Sequence, residues 1–142
     1  MTRRLTLLAC TLLGAACGGT QNPEAETFAM QVERGGALYG THCARCHGDD
    51  GSGTSRAPRV VGLAEGALPL DPPESREVRT EQFVTVGDVA AFASVNMPAD
   101  APGSLALDEY LAILAFALHA NGIDLEQPLT LELAGDLTIP RE

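Results

Sequence analysis

The sequence predicts an all-α domain of three or more helices. Three segments carry helical signals, namely residues 28–39, residues 88–96 and residues 107–121. The chain has 142 residues, of which 45% are hydrophobic, which suits one folded domain. Only 4% of the residues are aromatic and none is Trp, so we expect a further group to fill part of the core.

The charge balance excludes one class of partner. The chain has nine basic residues, all of them arginine, and nineteen acidic residues, so its formal net charge is −10. Since the arginines form no cluster, we expect no nucleic-acid partner, and an anionic membrane surface is also a poor electrostatic partner. The acidic surface either maintains solubility or attracts a basic protein.

Residues 1–16 predict an export signal that the mature protein lacks. Arg3 and Arg4 precede an apolar stretch of twelve residues, from Leu5 to Ala16. That stretch is too short to cross a bilayer as a helix and has the length of a signal sequence. We therefore expect the protein on the periplasmic side of a bacterial membrane.

The end of this signal resembles the lipobox of bacterial lipoproteins. The segment Leu13-Gly14-Ala15-Ala16-Cys17 has small residues before a cysteine, although Gly14 stands where leucine is usual. The resemblance implies that Cys17 is lipidated and that residues 17–26 tether the domain to the membrane. The protein would contact the membrane through this lipid only. The alternative is ordinary cleavage after Ala16, which leaves Cys17 as an exposed thiol in an oxidising compartment. Cys10 is removed with the signal.

The first predicted helix carries one apolar stripe. Phe28, Val32, Gly35 and Tyr39 recur at helical spacing. Gly35 and Gly36 each weaken a helix by about 1 kcal/mol relative to alanine. Two glycines in succession indicate that another backbone comes close, and the alternative is a helix that frays there.

The segment Cys43-Ala44-Arg45-Cys46-His47 is a CXXCH motif, which attaches c-type haem. Thiols three residues apart can each add to a vinyl group on one porphyrin edge, and the histidine then ligates the iron. A thioredoxin-like pair would need a strand and helix context that is absent here. A zinc site would need further ligands, and only His42 and His119 remain.

With this motif, residues 27–122 resemble the class I, single-haem cytochromes c. The resemblance implies a cytochrome c domain with one covalent haem c, in which Gly35 admits the C-terminal helix at close range and Tyr39 packs against it. Residues 47–53 match the glycine-rich loop of the family. Pro58 stands where the family has a proline whose carbonyl accepts the Nδ1 proton of the haem histidine. The alternative for Pro58 is an ordinary loop proline.

The resemblance also implies a sixth iron ligand, Met97, in the segment Asn96-Met97-Pro98. A thioether in a loop flanked by proline suits a haem with Met/His ligation. The segment around it, residues 97–105, is similar to single-haem cytochromes that accompany periplasmic dehydrogenases. The rival ligands are Met30, which we assign to core packing, and His119, which we place near the end of a helix.

The last predicted helix runs from about Leu107 to Asn121 and ends at Gly122. One face is apolar and comprises Leu107, Tyr110, Leu111, Leu114 and Leu118. The family resemblance implies that Ile113 and Phe116 meet Gly35 and Tyr39 of the first helix.

Two stretches carry weaker signals. Residues 68–79 contain three prolines and predict a loop around the haem edge. The family resemblance implies that Arg76 or Arg79 neutralises a propionate there, and the alternative for each is an exposed arginine. Residues 123–142 form a C-terminal extension beyond the resemblance. Its segment Leu129–Leu133 alternates weakly, which permits a short strand.

These features predict a single-electron transfer protein and not an enzyme, because His47 and Met97 leave the iron no open position for a substrate. The expected partners are periplasmic or membrane redox proteins. One alternative is a cytochrome subunit of a periplasmic dehydrogenase or oxidase complex. The other is a haem enzyme or sensor with an open sixth site.

Overall fold

A computed structural model describes residues 25–67, 71–72 and 79–140. The elements in chain order are α1 (Phe28–His42), α2 (Ala44–His47), a short 3-10 helix (Leu63–Glu65), α3 (Val86–Asn96), α4 (Leu107–Ala120) and α5 (Leu131–Asp136). Within these ranges the only extended pairing is an isolated bridge between Thr85 and Thr138. The all-α prediction is therefore confirmed. The predicted signal, residues 17–24 of the tether with Cys17, and Arg76 lie outside the described residues.

Helices α1 and α4 cross at a glycine. A Cβ atom on Gly35 would lie 1.8 Å from the carbonyl oxygen of Ala112, so the two backbones touch where only hydrogen fits. One turn further on, the rings of Tyr39 and Phe116 pack with centroids 5.1 Å apart. Helix α1 continues past both glycines to His42, so the fraying alternative is wrong.

Helix α3 begins with a capping box. The Thr85 hydroxyl accepts a hydrogen bond from the Asp88 N–H at 3.2 Å, and Asp88 Oδ2 accepts from the N–H groups of Val84 and Thr85 at 2.8 Å each. Because these bonds satisfy free N–H groups, the helix begins at Val86, two residues before the predicted start. It ends at Asn96, since Pro98 restricts the residue before it.

The capping box predicts a pH dependence of stability. The backbone hydrogen bonds lower the pKa of Asp88 in the folded state below the unfolded value of about 3.9. The carboxylate of Asp88 therefore contributes fully to the free energy of unfolding at pH values above its unfolded pKa. This contribution is lost as the pH falls through the folded pKa. We expect Asp88→Ala to lower the free energy of unfolding by about 1 kcal/mol at pH 7.

Thermal unfolding of wild type and Asp88→Ala at a series of pH values measures this effect. The difference in melting temperature should shrink as the carboxylate is protonated in the folded state. Glu126→Ala is the control, since Glu126 is exposed and has no hydrogen bond in the described structure. A difference that is unchanged at strongly acidic pH would contradict the proposed role of the carboxylate.

The segment Leu129–Leu133 is not a strand, so that prediction is wrong. The Thr130 hydroxyl accepts a hydrogen bond from the Leu133 N–H at 3.1 Å and begins helix α5 at Leu131. Helical spacing then turns Leu133 towards the core, while Leu131 is 52% exposed. The alternating leucines are thus the start of a helix.

The core contains side chains from the C-terminal extension. Leu129, Ala134 and Ile139 are buried in one cluster with residues of α1, α3 and α4. The principal partners from those helices and the segment before α3 are Phe28, Phe83, Val86, Val89, Leu111, Leu114 and Leu118. In the described ranges, no helix is long and apolar enough to cross a bilayer.

Candidate functional site

One cavity of about 480 Å³ brings most of the predicted site residues together. Its wall includes Cys43, His47, Pro58, Arg79 and Met97. The remaining lining is mainly apolar and includes Val60, Phe83, Val89, Phe92, Ile113 and Leu114. This volume between the helices is the space that the low aromatic content predicts for a further group.

The two cysteines of the motif have different positions. Cys43 lines the cavity, whereas Cys46 is half-buried on α2 and is not part of the cavity wall. Burial, and to a smaller extent Cys46, raises the pKa of the Cys43 thiol to about 11. The thiol is therefore protonated at neutral pH, unlike the activated thiolate of a thioredoxin-like pair. Among the described residues, no group of three or more His, Cys, Asp or Glu could hold a metal ion.

His47 is oriented by a hydrogen bond to a carbonyl group. Its Nδ1 atom lies 2.7 Å from the carbonyl oxygen of Pro58. A carbonyl oxygen only accepts, so Nδ1 is the donor and carries a proton. The hydrogen bond thus orients the ring so that Nε2 is the nitrogen available to ligate a metal.

The loop after α2 places the Pro58 carbonyl beside His47. Gly53 donates its N–H to the His47 carbonyl at 2.8 Å and has a φ of 85°, which favours glycine. A Cβ at Gly53 would lie 2.7 Å from the Arg59 nitrogen. The glycine-rich sequence therefore allows residues 48–53 to pack directly against Pro58 and Arg59.

Two tyrosines hold the backbone of the site, and neither contact was predicted. The Tyr39 hydroxyl donates to the Gly48 carbonyl at 2.8 Å, and burial, followed by the negative charges of nearby groups, raises the pKa of Tyr39 to about 12. The Tyr110 hydroxyl donates to the Met97 carbonyl at 2.6 Å. The apolar stripe of α4 revealed that Tyr110 is buried, but it contained no signal for the partner of its hydroxyl.

Asn121 is a third contact that the sequence did not reveal. Its side chain accepts from the Gly62 N–H at 2.8 Å and donates to the Val60 carbonyl at 2.9 Å. These bonds tie the loop after Pro58 to the end of α4. An asparagine just before Gly122 is an ordinary helix-end residue, so no sequence pattern predicted this contact.

Met97 lies at the end of α3 and faces the same cavity as His47. The rival ligands do not line the cavity. Met30 is 47% exposed on α1, so its assignment to core packing is wrong. His119 is exposed, and its Nδ1 lies 2.6 Å from Asp124 Oδ1. Of the candidate axial ligands, only His47 and Met97 reach the cavity wall.

Arg79 lies at the cavity wall, where the sequence predicted a contact with an anion. Its guanidinium carbon lies 3.7 Å from the centroid of the Phe83 ring. The same guanidinium donates hydrogen bonds to the carbonyl groups of Glu81 and Asp71. Burial lowers the pKa of Arg79, and Asp71 opposes this shift.

An ion pair joins the attachment motif to the loop after Met97. Arg45 Nη2 lies 2.5 Å from Asp100 Oδ2, and both side chains are more than half exposed. Exposed ion pairs contribute little free energy, on the order of 0 to 1 kcal/mol.

The model of the family described as Cytochrome c matches residues 32–119, more than half of the chain. Comparison with curated proteins gives no match. Among solved structures, the chain is similar to a chain of the sulfane dehydrogenase SoxCD from Paracoccus pantotrophus, with 27% sequence identity and a TM-score of 0.55. The match covers 77% of this chain and 53% of that chain, so it spans about half of the length of the solved chain.

Proposed function

Because this chain belongs to the cytochrome c family, whose members carry covalently bound haem c, we propose that it is a single-electron carrier between periplasmic redox partners. One observation carries the proposal: a single, mainly apolar cavity is lined by Cys43, His47 and Met97. Haem supplies a reversible exchange between Fe(III) and Fe(II). The cavity offers it a thiol for attachment, an imidazole and a thioether.

Each residue would have a distinct role. Cys43 and Cys46 would form the two thioethers, and His47 would bind the iron through Nε2 while Pro58 fixes its orientation. Met97 would fill the sixth position, and its thioether favours the reduced iron relative to a second histidine. Arg79 would contact a propionate from the cavity wall. With both axial positions filled, the protein would bind no substrate at the iron.

Similarity to a known enzyme favours a second candidate, a cytochrome subunit of a dehydrogenase complex. The chain is similar to a chain of a sulfane dehydrogenase, and residues 97–105 resemble cytochromes that accompany periplasmic dehydrogenases. Stoichiometric co-purification with a dehydrogenase would favour the subunit. A chain that purifies alone and exchanges electrons with soluble partners would favour the free carrier.

We place the mature protein on the periplasmic side of a bacterial membrane, anchored by a lipid on Cys17. Support comes from the charged start at Arg3 and Arg4, the twelve apolar residues that follow, and the small residues before Cys17. Residues 17–26 contain Gly, Pro and polar residues, which suits a flexible tether. The domain would thus work close to membrane redox proteins.

A substitution of Met97 tests the proposed function. The wild-type ferric protein should show the far-red absorption band of sulfur-ligated haem and should not bind CO readily when reduced. Met97→Ala should abolish the band completely and should bind CO when reduced, because alanine leaves the sixth position open. Met30→Ala is the control and should behave as the wild type. A wild-type protein that lacks the band and binds CO or cyanide rapidly would instead be a haem enzyme or sensor.

A further inference from the structure

Residues 123–140 lie beyond the segment that matches the family, yet helix α5 within them packs against helix α3. We propose that this extension is a positioning segment, which holds α3 so that Met97 stays on the iron. The inference rests on the proposed role of Met97. Three sets of contacts carry it.

The first contacts hold the beginning of α3. Beside the bridge between Thr85 and Thr138, the Val86 N–H donates to the Leu137 carbonyl at 2.9 Å. The Ile139 N–H donates to the Val84 carbonyl, also at 2.9 Å. The extension thus fixes the residues from which α3 starts.

The second contact joins α3 to α5. A Cβ atom on Gly87 would lie 3.0 Å from the Cα of Gly135 and 3.1 Å from its nitrogen. Ala134, which directly precedes Gly135, is completely buried. The two helices therefore pack backbone against backbone, and neither can approach further.

The third contact anchors the extension to α1, far away in sequence. The Gln31 side chain donates from Nε2 to the Leu129 carbonyl at 3.0 Å and accepts from the Leu129 N–H at 2.7 Å. Gln31 is only 3% exposed, and among the described residues it is the only buried one with an amide or charged side chain. Both polar groups of its amide are thus used to hold one backbone position.

A displacement of α3 would reach the iron ligand directly. The helix contributes Val89, Phe92 and Ala93 to the cavity wall and ends at Asn96, directly before Met97. The Tyr110 hydroxyl holds the Met97 carbonyl just after the C-terminal end of α3. The extension holds the N-terminal end of the same helix. If the extension released the N-terminal end of α3, the helix could tilt. The tilt would move the Met97 thioether away from the iron.

Two substitutions test the role of the extension in the protein with haem attached. Gln31→Ala removes both hydrogen bonds to Leu129, and Gly87→Ala forces α5 away from α3. The readouts are the rate of cyanide binding to the ferric protein, which requires Met97 to leave, and the far-red band. We expect cyanide to bind about tenfold faster in Gln31→Ala, the effect of losing buried hydrogen bonds. Gly87→Ala should also accelerate binding, and both variants should keep normal haem staining.

Two controls separate this role from a general loss of stability. Gly135→Ala should bind cyanide at the wild-type rate, because a Cβ there meets no atom within 4 Å. Phe116→Leu weakens the ring contact at the crossing of α1 and α4, and it should lower the melting temperature without accelerating cyanide binding.

The possible results distinguish this inference from the proposed function. A far-red band in the wild type, together with unchanged cyanide rates in Gln31→Ala and Gly87→Ala, would overturn the role of the extension alone. Equal acceleration in Phe116→Leu would also overturn it. A wild-type protein without the band, which binds cyanide at once, would overturn the proposed function and this inference together.

Discussion

Replacing both cysteines of the attachment motif, as Cys43→Ala with Cys46→Ala, is expected to abolish covalent haem and leave the chain largely unfolded. The cavity of about 480 Å³ is lined by residues from most of the helices, so an empty cavity removes the contacts that join them. At roughly 24 cal/mol per Å³, a closed and empty cavity of this size would cost on the order of 10 kcal/mol. That is comparable with the whole stability of a small domain, about 5–15 kcal/mol.

Haem staining of a denaturing gel, the mass of the intact protein and far-ultraviolet circular dichroism measure this result. The single variants Cys43→Ala and Cys46→Ala are the controls, since each keeps one thiol for attachment. We expect them to retain haem and most of the helical signal. Staining of the double variant equal to that of the wild type would show that these cysteines do not attach the haem.

Gly35→Ala is expected to destabilise the protein by about 3 kcal/mol, a large effect for the addition of one methyl group. The new Cβ would lie 1.8 Å from the Ala112 carbonyl oxygen, and both clashing groups belong to helix backbones that cannot yield by rotating a side chain. Helices α1 and α4 would have to move apart. This loss exceeds the gain of about 1 kcal/mol that alanine offers over glycine within a helix.

The matched control for this change is Gly40→Ala in the same helix. A Cβ at Gly40 meets no atom within 4 Å, so the substitution should be neutral or stabilising by up to about 1 kcal/mol. Denaturant unfolding of both variants with haem attached gives the two free energies. If both substitutions shifted stability in the same direction, the close crossing of α1 and α4 would not be the reason.

The sequence was most informative where a residue type has a single physical use. Two adjacent glycines in an apolar stripe indicated a close helix crossing, and Gly35 lies at one. Of the residues identified by the CXXCH spacing and by the proline after Met97, the fold brings Cys43, His47 and Met97 to a single cavity. The side chains that can bind a group, and the backbone restrictions set by Gly and Pro, are both determined by a few neighbouring residues.

The sequence was least informative where long-range contacts decide the structure. The five residues Leu129–Leu133 suit a strand or a helix equally, and the Thr130 cap decided between them. Met30 looked like a core residue because apolar character alone does not say which side of a helix it occupies. The partners of Tyr110 and Gln31 are supplied by distant segments, so no local pattern could identify them.

The hydrogen bonds between Gln31 and Leu129 also have a consequence for when the chain can fold. They join residues 98 positions apart, near the two ends of the described structure. Contacts between residues so distant in sequence form late in folding, because a long loop must be ordered before they can form. During synthesis, helix α1 therefore gains this buried contact only once Leu129 has been made, 98 positions after Gln31.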